Sequence, residues 1–246
     1  MSGDSYHWDI EELLHRRTDL STFVVHWSRD FGDDSALENL KSILDSRTLF
    51  AKTAFGSAVT QLENIEDAVE RAAARESQKV VCFTEAPLEQ AWSFVCEIAG
   101  RTTPLQPYGV AFTKQTARGL GVNPVLYMDM TPGHDWKVTK AAEALVKRAI
   151  ESGEFLSDPI SRLAPFLDWM GTWPSGKKKE FWWEREWRHL GDLEFSIKDV
   201  AVIFCPENDF EVIGNVLDEI EPSRKIHTLD PIWGLEHFIK RLADLE

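Results

Sequence analysis

Two places in the chain put reactive side chains where a fold could use them. The first is 177–188, KKKEFWWEREWR, whose core Glu184-Arg185-Glu186-Trp187-Arg188 reads as a strand. Strand side chains alternate between faces, so Glu184, Glu186 and Arg188 share one face and Trp183, Arg185 and Trp187 the other. At roughly 3.3 Å per residue the two carboxylates lie about 6–7 Å apart. Like charges so placed need a cation, and Arg188 stands in position to supply it. Such a face is either a structural ion-pair strip beside a tryptophan-lined core or an acidic functional site. Half of the ten tryptophans (Trp169, Trp173, Trp182, Trp183, Trp187) crowd into nineteen residues here, which favours the second.

The second place is His26, near the end of an apolar stretch at 21–28, STFVVHWS, with Trp27 and Ser28 behind it. A lone histidine in an apolar strand is either a satisfied core imidazole or a binding group. Thr84 and Glu85 close a further strand at 79–84, where Pro87 forces a turn. A residue at a strand exit is placed for a pocket, although Glu85 serves equally well as a helix cap. Tyr108, before Gly109, can pack or stack.

Other chemistries lack their patterns. His7, His15, His134, His189, His227 and His237 show no paired ligand spacing, and no His-Glu-x-x-His occurs, so no metal site is expected. No serine sits in a Gly-x-Ser-x-Gly elbow. Cys82, Cys96 and Cys205 form neither a zinc pattern nor a disulfide framework, and none has a basic setting that would activate it. They read as reduced core residues of a cytosolic protein. A net charge of −14 repels bulk nucleic acid, leaving room only for a local basic patch such as Lys177-Lys178-Lys179. No leader and no membrane-spanning run is evident.

The supporting elements follow from hydrophobic period. Strands are expected at 21–28, 79–84, 108–113, 125–128, 199–205 and 225–229. Helices are expected at 8–16, behind a Ser35/Glu38 capping box (Leu37, Leu40, Ile43, Leu44), at 62–76, 88–99, 138–150, 159–170 and 208–220. A last helix is expected from Asp230-Pro231, burying Ile232, Leu235, Phe238, Ile239 and Leu242. Residues 47–60 read as loop. No glycine-rich phosphate fingerprint follows a strand. The fold class is α+β: a single domain over 1–246, with a mixed, mainly antiparallel central sheet flanked by helices. Its core is about 20–205, with a helix-strand-helix extension at about 206–246.

The segments VVHWSRD, VCFTEAPL, YGVAFTK with GVNPVLYMD, and FWWEREWRHL occur in this order over about 23–190. Together they resemble the AbiGi-type family of abortive-infection, phage-resistance proteins. More loosely, a strand histidine, a mid-chain aromatic/threonine strand and a late Glu-x-Glu resemble the ADP-ribosyltransferase superfamily and its DarT-like toxins. That resemblance implies a split central sheet and NAD as substrate. It implies that His26, with Trp27, Ser28, Thr84, Tyr108 and Arg188 around it, binds the dinucleotide. Glu186 then stabilises the ribose cation as nicotinamide leaves, Glu184 activates or orients the acceptor, and Tyr108 or a tryptophan stacks on nicotinamide. The acceptor is a nucleic acid or a protein, and an antitoxin or second defence protein is an implied partner. CFTEAP departs from the superfamily's middle motif, and Arg188 stands where it could quench Glu186. Two other classes stay open. One is a nuclease-like toxin entered through Lys177-Lys178-Lys179 and Trp182-Trp183. The other is a sensor or binding module without catalysis.

Overall fold

The structure, a computed structural model, describes residues 10, 17–85, 87–97, 105–173 and 175–244. The helix expected at 8–16 falls outside these residues apart from Ile10, as do Ile98 and Ala99 of the one expected at 88–99. In chain order the strands are β1 (Phe23–Trp27), β2 (Thr48–Leu49), β3 (Thr53–Ala54), β4 (Lys79–Phe83), β5 (Gly109–Thr113), β6 (Asn123–Pro124), β7 (Leu126–Asp129), β8 (Leu167–Thr172), β9 (Lys178–Lys179), β10 (Trp187–Leu190), β11 (Leu193–Glu194), β12 (Val200–Phe204) and β13 (His227–Leu229).

Alternation along β1, β5 and β12 builds a sheet that is apolar on both faces. Val24, Val110, Phe112 and Ile203 point one way, onto Leu40 and Leu44 of the helix Ala36–Ser46 and Ile213 and Leu217 of the helix Phe210–Ile220. Val25, Trp27, Ala111, Val202 and Phe204 point the other way, onto Phe94 and Phe238. Each large apolar side chain so buried contributes about 1.5–3 kcal/mol. The sheet runs β1-β5-β12-β13, antiparallel except for the parallel β12–β13 pair. The helix Ala36–Ser46 starts as its sequence directs: Ser35 Oγ accepts from the Glu38 N–H at 3.2 Å, and Asp30 Oδ1 accepts from the Ala36 N–H at 2.8 Å.

A second sheet, β3-β4-β10-β6, is antiparallel throughout. It meets the first at one seam, where Val25 and Thr84 exchange two backbone hydrogen bonds of 2.9 Å each. The seam lays His26 beside β4, and β4 carries β10 with Arg188. A third sheet, β7-β8-β9, pairs β7 and β8 in parallel, and β2 pairs β11. No helix among the described residues is long and apolar enough to cross a membrane.

Several expected elements are replaced. The helix at 62–76 is two pieces, a 3₁₀ turn Gln61–Asn64 and a helix Ala68–Glu76. Ile65 turns extended to bury itself beside Leu62, and Asp67 caps a new start by accepting from the Glu70 N–H at 2.7 Å. The helix at 88–99 shrinks to Leu88–Gln90 and Trp92–Val95, with Trp92 half exposed rather than packed. The helix at 159–170 stops at Leu163; Pro165 occupies a 3₁₀ turn, and residues 167–172 extend to pair with β7 and, at their end, β9. The helix expected from Asp230 begins only after Gly234, because Asp230 spends its carboxylate on the N–H groups of Glu207 and Ile232. Of its five expected core residues only Phe238 is buried, since the helix touches the sheet along one edge. The loop at 47–60 contains β2 and β3.

Candidate active site

The acidic stretch is not a strand throughout. Phe181–Glu184 form a 3₁₀ turn, Arg185 adopts the left-handed conformation (φ 45°), and the strand begins at Trp187. A left-handed non-glycine residue costs about 1–2 kcal/mol. Here it is offset by the Arg185 guanidinium, which donates to the Asp19 carbonyl at 2.7 Å and lies 3.6 Å from Glu85. The uniform alternation expected across 184–188 therefore fails between Glu184 and Glu186. Both residues nonetheless border the same cavity.

That cavity has a volume of about 690 Å³. His26, Trp27 and Ser28 reach it from β1 and its exit, Cys82 and Thr84 from β4, and Glu184, Glu186 and Arg188 from the turn and β10. The sequence-distant imidazole and acidic pair thus share one concave surface. Tyr108 does not reach this surface. It packs against the core and donates from its hydroxyl to Asp209 Oδ2 at 2.8 Å.

Arg188 is 1% exposed and organises the floor. Its Nε donates to Glu186 Oε1 at 2.9 Å and its Nη2 to Glu186 Oε2 at 2.8 Å, a two-pronged grip of the kind guanidinium geometry favours. The same Nη2 reaches Asp168 Oδ2 at 2.6 Å, and Nη1 donates to the Pro165 carbonyl at 2.5 Å. Lys179 adds a 2.6 Å contact to Asp168, and the Tyr127 hydroxyl donates to Glu186 Oε2 at 3.3 Å. Burial pushes the Asp168 carboxyl up, but Arg188 and Lys179 outweigh it and hold it below the usual range. Burial, reinforced by Glu186, pushes the Cys82 thiol well up, so it stays protonated. Among the described residues no cluster of His, Cys, Asp and Glu has the makings of a metal site.

His26 is half-buried against Phe83, ring centroids 5.8 Å apart. Burial, with smaller contributions from Arg29 and Lys52, depresses its pKa to about 4. Nδ1 lies 2.9 Å from the Cys82 carbonyl, which can only accept. Nδ1 therefore carries the proton and Nε2 is left as an acceptor. Trp27 Nε1 donates to Thr84 Oγ1 at 2.8 Å, tying the two sheets together in side chains as the seam does in backbone. Ser28 is buried on the cavity wall, and its Oγ has no hydrogen-bond partner among the described residues. Glu85 turns away to Lys114 (2.6 Å) and Trp187 Nε1 (2.8 Å).

Asp168, Tyr127, Cys82, Arg29 and Lys52 on the lining were not singled out by sequence reasoning. Asp168 was hidden inside an expected helix. Arg29 carried one signal, its place directly after the strand exit at Ser28.

No protein-family model matches this chain, and no curated protein matches it. Two solved structures resemble it weakly. One is Thermus sp. 2.9 DarT in complex with ADP-ribosylated ssDNA, at 14% identity and TM-score 0.35, covering 85% of this chain and 93% of that one. The other is Thermus sp. 2.9 DarT in complex with NAD+, at 15% identity and TM-score 0.34, covering 84% and 93%. Likeness of this degree assigns no function.

Proposed function

We propose that the cavity is an NAD-consuming active site of the ADP-ribosyltransferase kind. The protein serves as an abortive-infection effector that modifies a nucleic acid or protein in bacterial anti-phage defence. The observation that carries the reading is the convergence of His26 with Glu184 and Glu186 on one cavity from distant parts of the chain. A volume of about 690 Å³ suits a dinucleotide-sized ligand. The neutral His26 offers Nε2 to a ribose hydroxyl, and the unpartnered Ser28 Oγ beside it can donate or accept.

In this reading the glycosidic bond between ribose C1′ and the nicotinamide nitrogen breaks, and the electron pair leaves with nicotinamide. Positive charge grows on the ribose. Glu186, fixed by Arg188, faces it as a positioned carboxylate, the electrostatic aid that such a transition state needs. Arg188 is shared with Asp168, so its charge is not spent on Glu186 alone. The acceptor then attacks C1′ and yields its proton to Glu184. Lys177 and Lys178 lie on the lining beside Trp173 and Phe181, a basic and aromatic edge suited to a single strand.

The test is nicotinamide release by the pure protein. Glu186→Gln keeps an oxygen for Arg188 and is expected to lower turnover by about 100-fold or more, with thermal unfolding run alongside to confirm the fold. Unchanged turnover in that variant removes Glu186 from the mechanism.

A further inference from the structure

Four cations on the cavity lining, Arg29, Lys52, Lys177 and Lys178, make no ion pair with any described residue. In a chain carrying −14 overall, uncompensated positive charge at one place calls for an explanation. Lys177 and Lys178 sit on the same short run as Lys179 and are accounted for above. Arg29 and Lys52 are not.

These two are held by neutral groups. Arg29 Nη2 donates to Thr53 Oγ1 at 3.3 Å. Its own backbone is locked: the Arg29 carbonyl accepts from Asn39 Nδ2 at 3.0 Å, and the next residue, Asp30, caps the helix Ala36–Ser46. Lys52 Nζ sits 4.2 Å over the Phe31 ring. It follows Ala51, whose N–H is fixed by Asp192 at 2.7 Å, and precedes Thr53, which pairs with Val80 on β4. A hydroxyl and a ring face orient a cation without neutralising it, whereas a carboxylate would do both. Both line the same cavity as the His26 imidazole. The three acidic lining residues, Asp168, Glu184 and Glu186, come from other elements, and Arg188 and Lys179 already engage two of them.

We propose that Arg29 and Lys52 form a phosphate clamp on the cavity wall beside His26, holding the diphosphate of the dinucleotide between guanidinium and ammonium. The guanidinium fork matches two phosphate oxygens and the ammonium supplies a point charge. A phosphate oxygen is a stronger partner for Lys52 than the Phe31 face, so the ligand draws the ammonium off the ring. The identity of the ligand rests on the NAD reading; the cationic pair does not.

The experiment titrates the full chain calorimetrically with ADP, with adenosine and with a single-stranded oligonucleotide, at low and high salt. It uses wild type, Arg29→Met, Lys52→Met and the charge-keeping Lys52→Arg. ADP binding is expected to weaken about 10-fold in each methionine variant, to persist in Lys52→Arg, and to fall with salt. Adenosine is expected to be indifferent to all three changes. Equal ADP affinity in wild type and both methionine variants overturns the clamp. So does weakening confined to the oligonucleotide, which moves the pair to an acceptor backbone. Nicotinamide release is measured in parallel. Wild-type turnover with an unaltered KM in the methionine variants sinks the clamp and leaves the NAD reading standing. Clamp-dependent ADP binding without any turnover does the reverse.

Discussion

His26 makes the fold itself sensitive to mild acid. In an unfolded chain an imidazole takes up its proton near pH 6.5; in the fold it does so only at about 4. Between those values the unfolded state binds more protons, so stability falls as pH drops through the window. From 6.5 down to about 4, at about 1.4 kcal/mol per unit, the full effect is about 3 kcal/mol, with about 2 kcal/mol of it gone by roughly pH 5. Urea unfolding of wild type and His26→Gln at pH 7, 6 and 5 isolates this contribution. Glutamine keeps a donor for the Cys82 carbonyl but cannot titrate, and every other group cancels in the difference. The stability of wild type relative to the variant is expected to shrink by about 2 kcal/mol between pH 7 and pH 5. Parallel curves would refute the reasoning, because they would mean that the imidazole accepts its proton equally well in both states. Above the window the ring stays neutral, so binding through Nε2 is expected to be flat across physiological pH.

Arg188→Met leaves Glu186 without its cation and Asp168 with Lys179 alone, and is expected to cost about 3–5 kcal/mol at pH 7. Because the folded Asp168 carboxyl sits below its usual range, this loss should narrow as pH falls through the carboxylate range, which urea midpoints at pH 7 and 4 will show. Gly56 has φ +105°, and a β-carbon there would collide with the Ala164 carbonyl oxygen. Gly56→Ala is expected to cost about 2 kcal/mol or more, seen as a lower Tm, because backbone and neighbour both resist it.

Strands β1, β5 and β12 of the first sheet could be read from the sequence because each is a run of apolar, mostly β-branched and aromatic residues facing two cores. Sequence distance did not obscure His26 or Glu186: the first lies on β1, and the second directly precedes β10 of the second sheet. What failed was governed by partners remote in sequence. Residues 167–170 carry helix-compatible residues and extend where β7 pairs with them, and Asp168 went unnoticed with them. Glu184 left the strand because Arg185 finds Asp19, 166 positions earlier in the chain. The last helix shows a fine apolar pattern, yet the sheet offers it only one edge. Lys52 has nothing in its spacing to mark it and joins the lining that holds His26 through folding alone, whereas Arg29 follows closely after His26 in the chain.

The seam at Val25 and Thr84 also sets a timetable. A ribosome delivers β1 first, β4 tens of residues later, and β10 later still. No shorter nascent chain can set His26 and Glu186 on one cavity, so this surface closes only after β10 has been made.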